Sequence, residues 1–204
     1  MQFLLDHIAA VVITGFIIFI IAAVSLRGQD TSIDSTQYYA QKRMLLDLVQ
    51  FVERDFTNIG AGVNPVADII QPGAFDTSGA TKFFQFRGRA DSTDLFASII
   101  RYEWDQVGTL ELSSGTTPAL RIRRLVTPLT PPGPQVVAGM SSGYITSFDI
   151  DFFAQGGTSV APTVDSMRVV RVDITAVSPL GRGNNIEQSW WTKVFRPVNL
   201  TRTD

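Results

Sequence analysis

Apolar residues along the chain change their spacing twice, and each change marks an element. From Phe3 to Leu26 the sequence reads FLLDHIAAVVITGFIIFIIAAVSL, with only Asp6 and His7 able to carry charge. At about 1.5 Å per residue a helix of that length reaches ~36 Å, enough to cross a ~30 Å hydrocarbon layer. A polar break, Arg27 to Ser32, follows. Asp34 and Gln37 then have the spacing of a capping box, which predicts a second helix start. Beyond it, Leu45, Val49, Val52, Phe56 and Ile59 recur at steps of four and three, one face of an amphipathic helix. Asn58, Gly60 and Gly62 end that face. The alternative to a second start is one long rod through both helices, in which Gly15 or Gly28 is expected to mark a bend or melted turn.

After Pro65 the helical period disappears and a two-residue period replaces it. Lys82–Gly88, Ala97–Trp104, Leu120–Val126, Tyr144–Phe153, Met167–Val177 and Ser189–Val198 read as strands. In Tyr144–Phe152 the positions Tyr144, Thr146, Phe148, Ile150 and Phe152 share one face, with Ser147, Asp149 and Asp151 opposite. Val170, Val172, Ile174 and Ala176 line one face of the next strand. One-sided strands suit an antiparallel sheet with a single cover, and the Leu45–Ile59 face is the available cover. The expected fold is therefore α+β. Residues 1–27 form an apolar transmembrane or polymerisation helix, 28–62 its amphipathic continuation, and 63–204 an antiparallel β head.

Composition narrows the function. About 175 residues remain outside the apolar run, enough for one core. Fifteen Leu, Ile, Val and Phe side chains in that run would cost on the order of 20–45 kcal/mol, as an upper bound, if left in water. Lipid or an assembly must cover them. Seventeen Lys and Arg against nineteen Asp and Glu are scattered without a basic patch, which argues against nucleic acid. Cysteine is absent and the sole histidine, His7, lies in the apolar run, so the head lacks the usual nucleophile–base pairs.

Candidate chemistry in the head reads as structure. Gly139-Met140-Ser141-Ser142-Gly143 fits G-x-S-x-G, but a Pro-rich loop precedes it, a strand follows, and no histidine is at hand, so it reads as a turn. Asp91 with Asp94, and Asp149 with Asp151, supply too few oxygens for calcium. Of Trp190 and Trp191, one is expected to pack inward and one to face out. Asn199-Leu200-Thr201 is a glycosylation sequon by pattern. No catalytic, cofactor or metal residue is expected.

Taken together, the early acid Asp6 in an almost uncharged helix and the helix end Glu53-Arg54-Asp55-Phe56-Thr57-Asn58-Ile59-Gly60 resemble the type IV pilin superfamily. Phe84-Gln85-Phe86, Ile100-Arg101-Tyr102-Glu103, Gly108-Thr109-Leu110, Val169–Ile174 and Thr192–Asn199 are similar to its larger minor pilins and J-type pseudopilins. Members are made with a short basic leader, cut before Phe or Met, and carry Glu at mature position five. No leader is visible in this sequence, whose numbering is expected to begin after processing; here the acid is Asp, in sixth place. The resemblance implies a non-catalytic filament subunit that waits in the inner membrane. It then joins an extracellular filament, or a periplasmic pseudopilus, through copies of itself or homologous helices. Ala9, Ala10, Gly15, Ala22 and Ala23 would allow close helix approach, and Asp6 would supply the polar contact. The rival readings are a minor pseudopilin of a type II secretion-like machine and a membrane-anchored adhesive module whose surface ligand is unknown.

Overall fold

A computed structural model describes residues 2–64, 68–71, 73–91, 93–112, 115–154, 166–177 and 188–200, the side chains of 2, 4–6, 37, 41, 112 and 142–144 excepted. Helix α1 runs from Gln2 to Thr57. Among the described residues seven strands follow: β1 Phe75–Asp76, β2 Thr81–Gly88, β3 Ser98–Leu112, β4 Gly115–Pro128, β5 Val136–Phe153, β6 Val169–Val177 and β7 Gln188–Phe195. A 3-10 turn at Val198–Leu200 comes last. The chain divides into two compact units, Met1–Ala40 and Gln41–Asp204.

In the first unit the helix is unbroken, as expected of one long N-terminal helix with an amphipathic continuation; the expected melted turn and second helix start are absent from it. Gly15 and Gly28 are both helical, with no melted turn at either. Both also have open space where a Cβ would sit, so neither glycine is required by a close neighbour. Nor does a helix start at Asp34. The hydroxyls that could have capped one bond backward instead: Thr31 Oγ1 donates to the Arg27 carbonyl at 3.0 Å, and Thr36 Oγ1 to that of Ser32 at 2.8 Å. Such i−4 bonds let Ser and Thr sit inside a helix with their donors satisfied.

The second unit is the expected α+β head. Its sheet is antiparallel with strand order β1-β2-β3-β4-β5-β6-β7, each strand beside its neighbour in sequence. Leu45, Leu48, Val49, Val52 and Phe56 of the helix share one core with Phe84, Phe86, Ile100, Phe148, Val170, Val172 and Ile174 of the sheet. Phe56 is fully buried among the rings of Phe84, Phe86, Tyr102 and Phe195, at centroid distances of 5.9, 5.6, 5.5 and 5.5 Å.

The helix ends where the sequence places its glycines. Gly60 and Gly62 adopt φ of 76° and 77°, a conformation that favours glycine. A Cβ on Gly60 would lie 2.4 Å from Ile69 Cδ1 and 2.8 Å from Asn199 Cβ, so any other residue there would have to displace both neighbours. The Gly60 N–H donates to the Arg87 carbonyl at 2.8 Å, which ties the chain leaving the helix to β2.

Strand β5 departs from the simple alternation. Its pairing with β4 skips between Arg124 and Leu125 and again between Leu120 and Arg121, and its pairing with β6 skips between Ile145 and Ser147. A bulge shifts the two-residue phase, so Ile145 is buried together with Thr146, Phe148, Ile150 and Phe152. Gly139–Gly143, expected as a turn, lies inside this strand. The loops 156–165 and 178–187 lie outside the described residues, while the Pro-rich stretch 127–134 begins as the last two residues of β4 and then turns, with a bridge between Leu129 and Pro132.

Candidate functional site

The first candidate is the apolar helix itself. Within His7–Thr57 an 18-residue window has a mean hydropathy of 2.8, and none of it is buried. Phe16, Phe19 and Ile21 are 65%, 71% and 62% exposed. By length and composition this helix could cross a membrane. Of the small residues, Ala9, Ala10, Gly15 and Ala22 are exposed and Ala23 is half-buried. At 3.6 residues per turn Gly15, Ala22, Ala23 and Ala9 fall within an arc of ~140°, with Ala10 outside it. Asp6 belongs to α1, and its side chain lies outside the described residues.

The second is a polar cluster inside the head that the apolar pattern conceals. Residues directly opposite in an antiparallel ladder point to the same face. The pairs Phe84↔Tyr102, Tyr102↔Arg124 and Arg124↔Gly139 therefore form one row across β2, β3, β4 and β5, beneath the helix. Two members of that row are polar, and the helix answers them with Asp55. Arg124 donates from Nε to Asp55 Oδ2 at 2.5 Å and from Nη2 to Oδ1 at 3.0 Å. The Tyr102 hydroxyl donates to Oδ2 at 2.7 Å, and Arg54 Nε to Oδ1 at 3.3 Å. Arg124 Nη2 also reaches the Ala90 carbonyl at 3.1 Å. Asp55 is 0% and Arg124 5% exposed.

The electrostatics follow from burial and partner. Burial, then the Asp55 charge, push the Tyr102 phenol well above its ordinary 10.0, so it stays a neutral donor. Burial alone draws the Arg124 guanidinium down, but the bond and charge of Asp55 outweigh it and the net shift is upward. A two-pronged, charge-assisted pair with both carboxylate oxygens satisfied is the arrangement in which a buried ion pair is tolerated. Beside it lies a cavity of ≈ 150 Å³, lined by Met44, Leu48, Phe51, Tyr102, Arg124 and Met140. Gly139, in the same row, keeps this space open next to Phe51.

The remaining candidates from the sequence are structural. Asp94 accepts from the Asp91 N–H at 2.9 Å, closing a turn. On the sheet's outer face Asp151 is paired with Arg171, and Asp149 accepts from the Ser147 hydroxyl. No group of three or more His, Cys, Asp or Glu that could hold a metal ion occurs among the described residues. Trp191 packs toward the core with its ring 6.3 Å from Phe195, whereas Trp190 is 78% exposed. The Asn199 amide donates to the Ile59 carbonyl at 3.1 Å, fastening the C-terminal turn under the helix end.

In the sequence Asp55 stands out only as part of the helix end Glu53–Gly60, with no partner assigned to it. The signal was present: Asp55 stands three residues after Val52 and directly before Phe56, inside the apolar stripe. A carboxylate in that position demands a cation from across the core. No family model, curated protein or solved structure matches this chain.

Proposed function

We propose that this chain is a non-catalytic structural subunit of a type IV pilin-like filament, assembling through its N-terminal helix with copies of itself or homologous helices. The observation that supports this reading most is a contrast along a single helix. Residues 45–56 bury an apolar stripe against their own sheet, while the large apolar side chains between residues 8 and 26 are exposed among the described residues. Before assembly that surface is accommodated by the inner membrane, and after it by neighbouring helices. Lipid is as apolar as the helices, so van der Waals packing at Ala9, Gly15, Ala22 and Ala23 and a polar contact from Asp6 have to set the register. The heads then lie outside, on an extracellular filament or a periplasmic pseudopilus.

The test is electron microscopy of material sheared from cells, with this chain identified in it. Filaments containing the chain support the reading; a chain that stays in the membrane fraction and is monomeric in detergent overturns it. That second result would favour the membrane-anchored binding module, for which the exposed Trp190 side chain is the supporting observation.

A further inference from the structure

We propose that the buried Asp55–Arg124–Tyr102 cluster is a register key, which selects one axial position of the helix on its sheet and is retained for that selection rather than for stability. The inference concerns the head alone and stands whether or not the chain polymerises.

The helix stripe facing the sheet consists of Leu45, Leu48, Val49, Val52, Asp55 and Phe56, all buried. Its apolar members nearly repeat under translation. A slide of seven residues sets Leu48 in the place of Asp55, Leu45 in that of Val52 and Val49 in that of Phe56. A slide of one turn, about 5.4 Å, sets Val52 beside the position of Asp55. In each case apolar side chains meet apolar surface again, and cores accept such exchanges when size is roughly kept. Phe56 resists such an exchange by size, since no valine fills its site among four rings, and Asp55 is the stripe's one member that resists it by charge. Any slide strands the guanidinium of Arg124, held in place by the sheet and by the Ala90 carbonyl, and strands the carboxylate with it. Tyr102 sharpens the selection because its hydroxyl donates to the same Oδ2 atom. A buried polar group that fixes register at some cost in stability has precedent in helical coils.

Phe56 is the competing determinant, since its ring fills a site among four others. The experiment separates the two. The chain has no cysteine, so nitroxide labels can be placed at Gln50→Cys and Thr116→Cys, both exposed positions, in the full chain in detergent. Pulsed-dipolar EPR then reads the helix–sheet distance. The otherwise native chain is expected to give one narrow distance. Asp55→Leu with Arg124→Met and Tyr102→Phe, which removes all three polar members so that no buried donor is stranded and keeps Phe56, is expected to keep its circular dichroism and a denaturation midpoint at least as high. Its distances should divide into two or more populations separated by about one helical turn. A single narrow distance in this triple variant, or a triple variant that does not fold, overturns the proposal. In the first case Phe56 sets the register; in the second the cluster serves stability.

Discussion

Asp55 and Arg124, 69 residues apart in the sequence, meet as a two-pronged ion pair from which water is almost wholly excluded. Removing one partner leaves the other charged, buried and alone. Asp55→Ala is therefore expected to cost about 3–5 kcal/mol of head stability, measured by denaturant melts of the detergent-solubilised chain. A loss under about 1 kcal/mol would mean that water reaches Arg124.

Phe56→Ala removes the ring around which four others are arranged, at a site with no exposure. The expected cost is about 3–5 kcal/mol, the lost transfer free energy plus an unfilled cavity. Phe56→Leu is expected to recover more than half of it, and the same melts compare the two.

Tyr102 gives the head an alkaline limit. Its phenol titrates well above 10.0 in the folded head and near 10.0 once unfolded. Between those values the folded state holds a proton that the unfolded chain has lost. The stabilisation is thus complete below pH 10 and declines as pH rises toward the folded value. Tyr102→Phe should cost about 1.5–3 kcal/mol at neutral pH through the lost bond to Asp55. The gap between variant and native midpoints should hold steady up to about pH 10 and narrow above it. A gap that stays constant or widens would contradict this sign.

In the filament reading, Asp6 needs a cation once its helix leaves the membrane, and the N-terminal ammonium of a neighbouring subunit is the expected partner, within about 4 Å. Asp6→Ala should leave membrane insertion intact while reducing sheared filaments, and Asp6→Glu should be tolerated better. Wild-type filament yield from Asp6→Ala would make Asp6 an interfacial carboxylate of an ordinary anchor.

Periodicity made the head's layout readable. Val170, Val172, Ile174 and Ala176 face the core as their alternation required, and Leu45, Val49, Val52, Phe56 and Ile59 are buried as their spacing required. Periodicity failed where a local rule was overridden. Thr31 and Thr36 bond within the helix, so the polar break between residues 27 and 37 does not interrupt it. Ile145 changes face because the bulges of β5 insert residues that no periodic pattern anticipates. The polar cluster was only half legible: Asp55 stands out of its stripe, but that Arg124 and not Arg123 turns inward depends on strand register.

Sheet order and chain order coincide throughout, with no crossover. During synthesis each strand can therefore join the one made just before it, and the longest strand-to-strand connection to close is residues 154–168, between β5 and β6. The last strand is different in one respect. Phe195 completes the ring of side chains around Phe56, Lys193 reaches Glu53 at 2.7 Å, and Asn199 bonds the Ile59 carbonyl. The beginning and the end of the head thus close on each other, so a nascent chain stalled before Gln188 holds its helix on an unsealed core. Proteolysis of a chain ending at Val177 should show this as cleavage near Phe56 that the full-length protein resists.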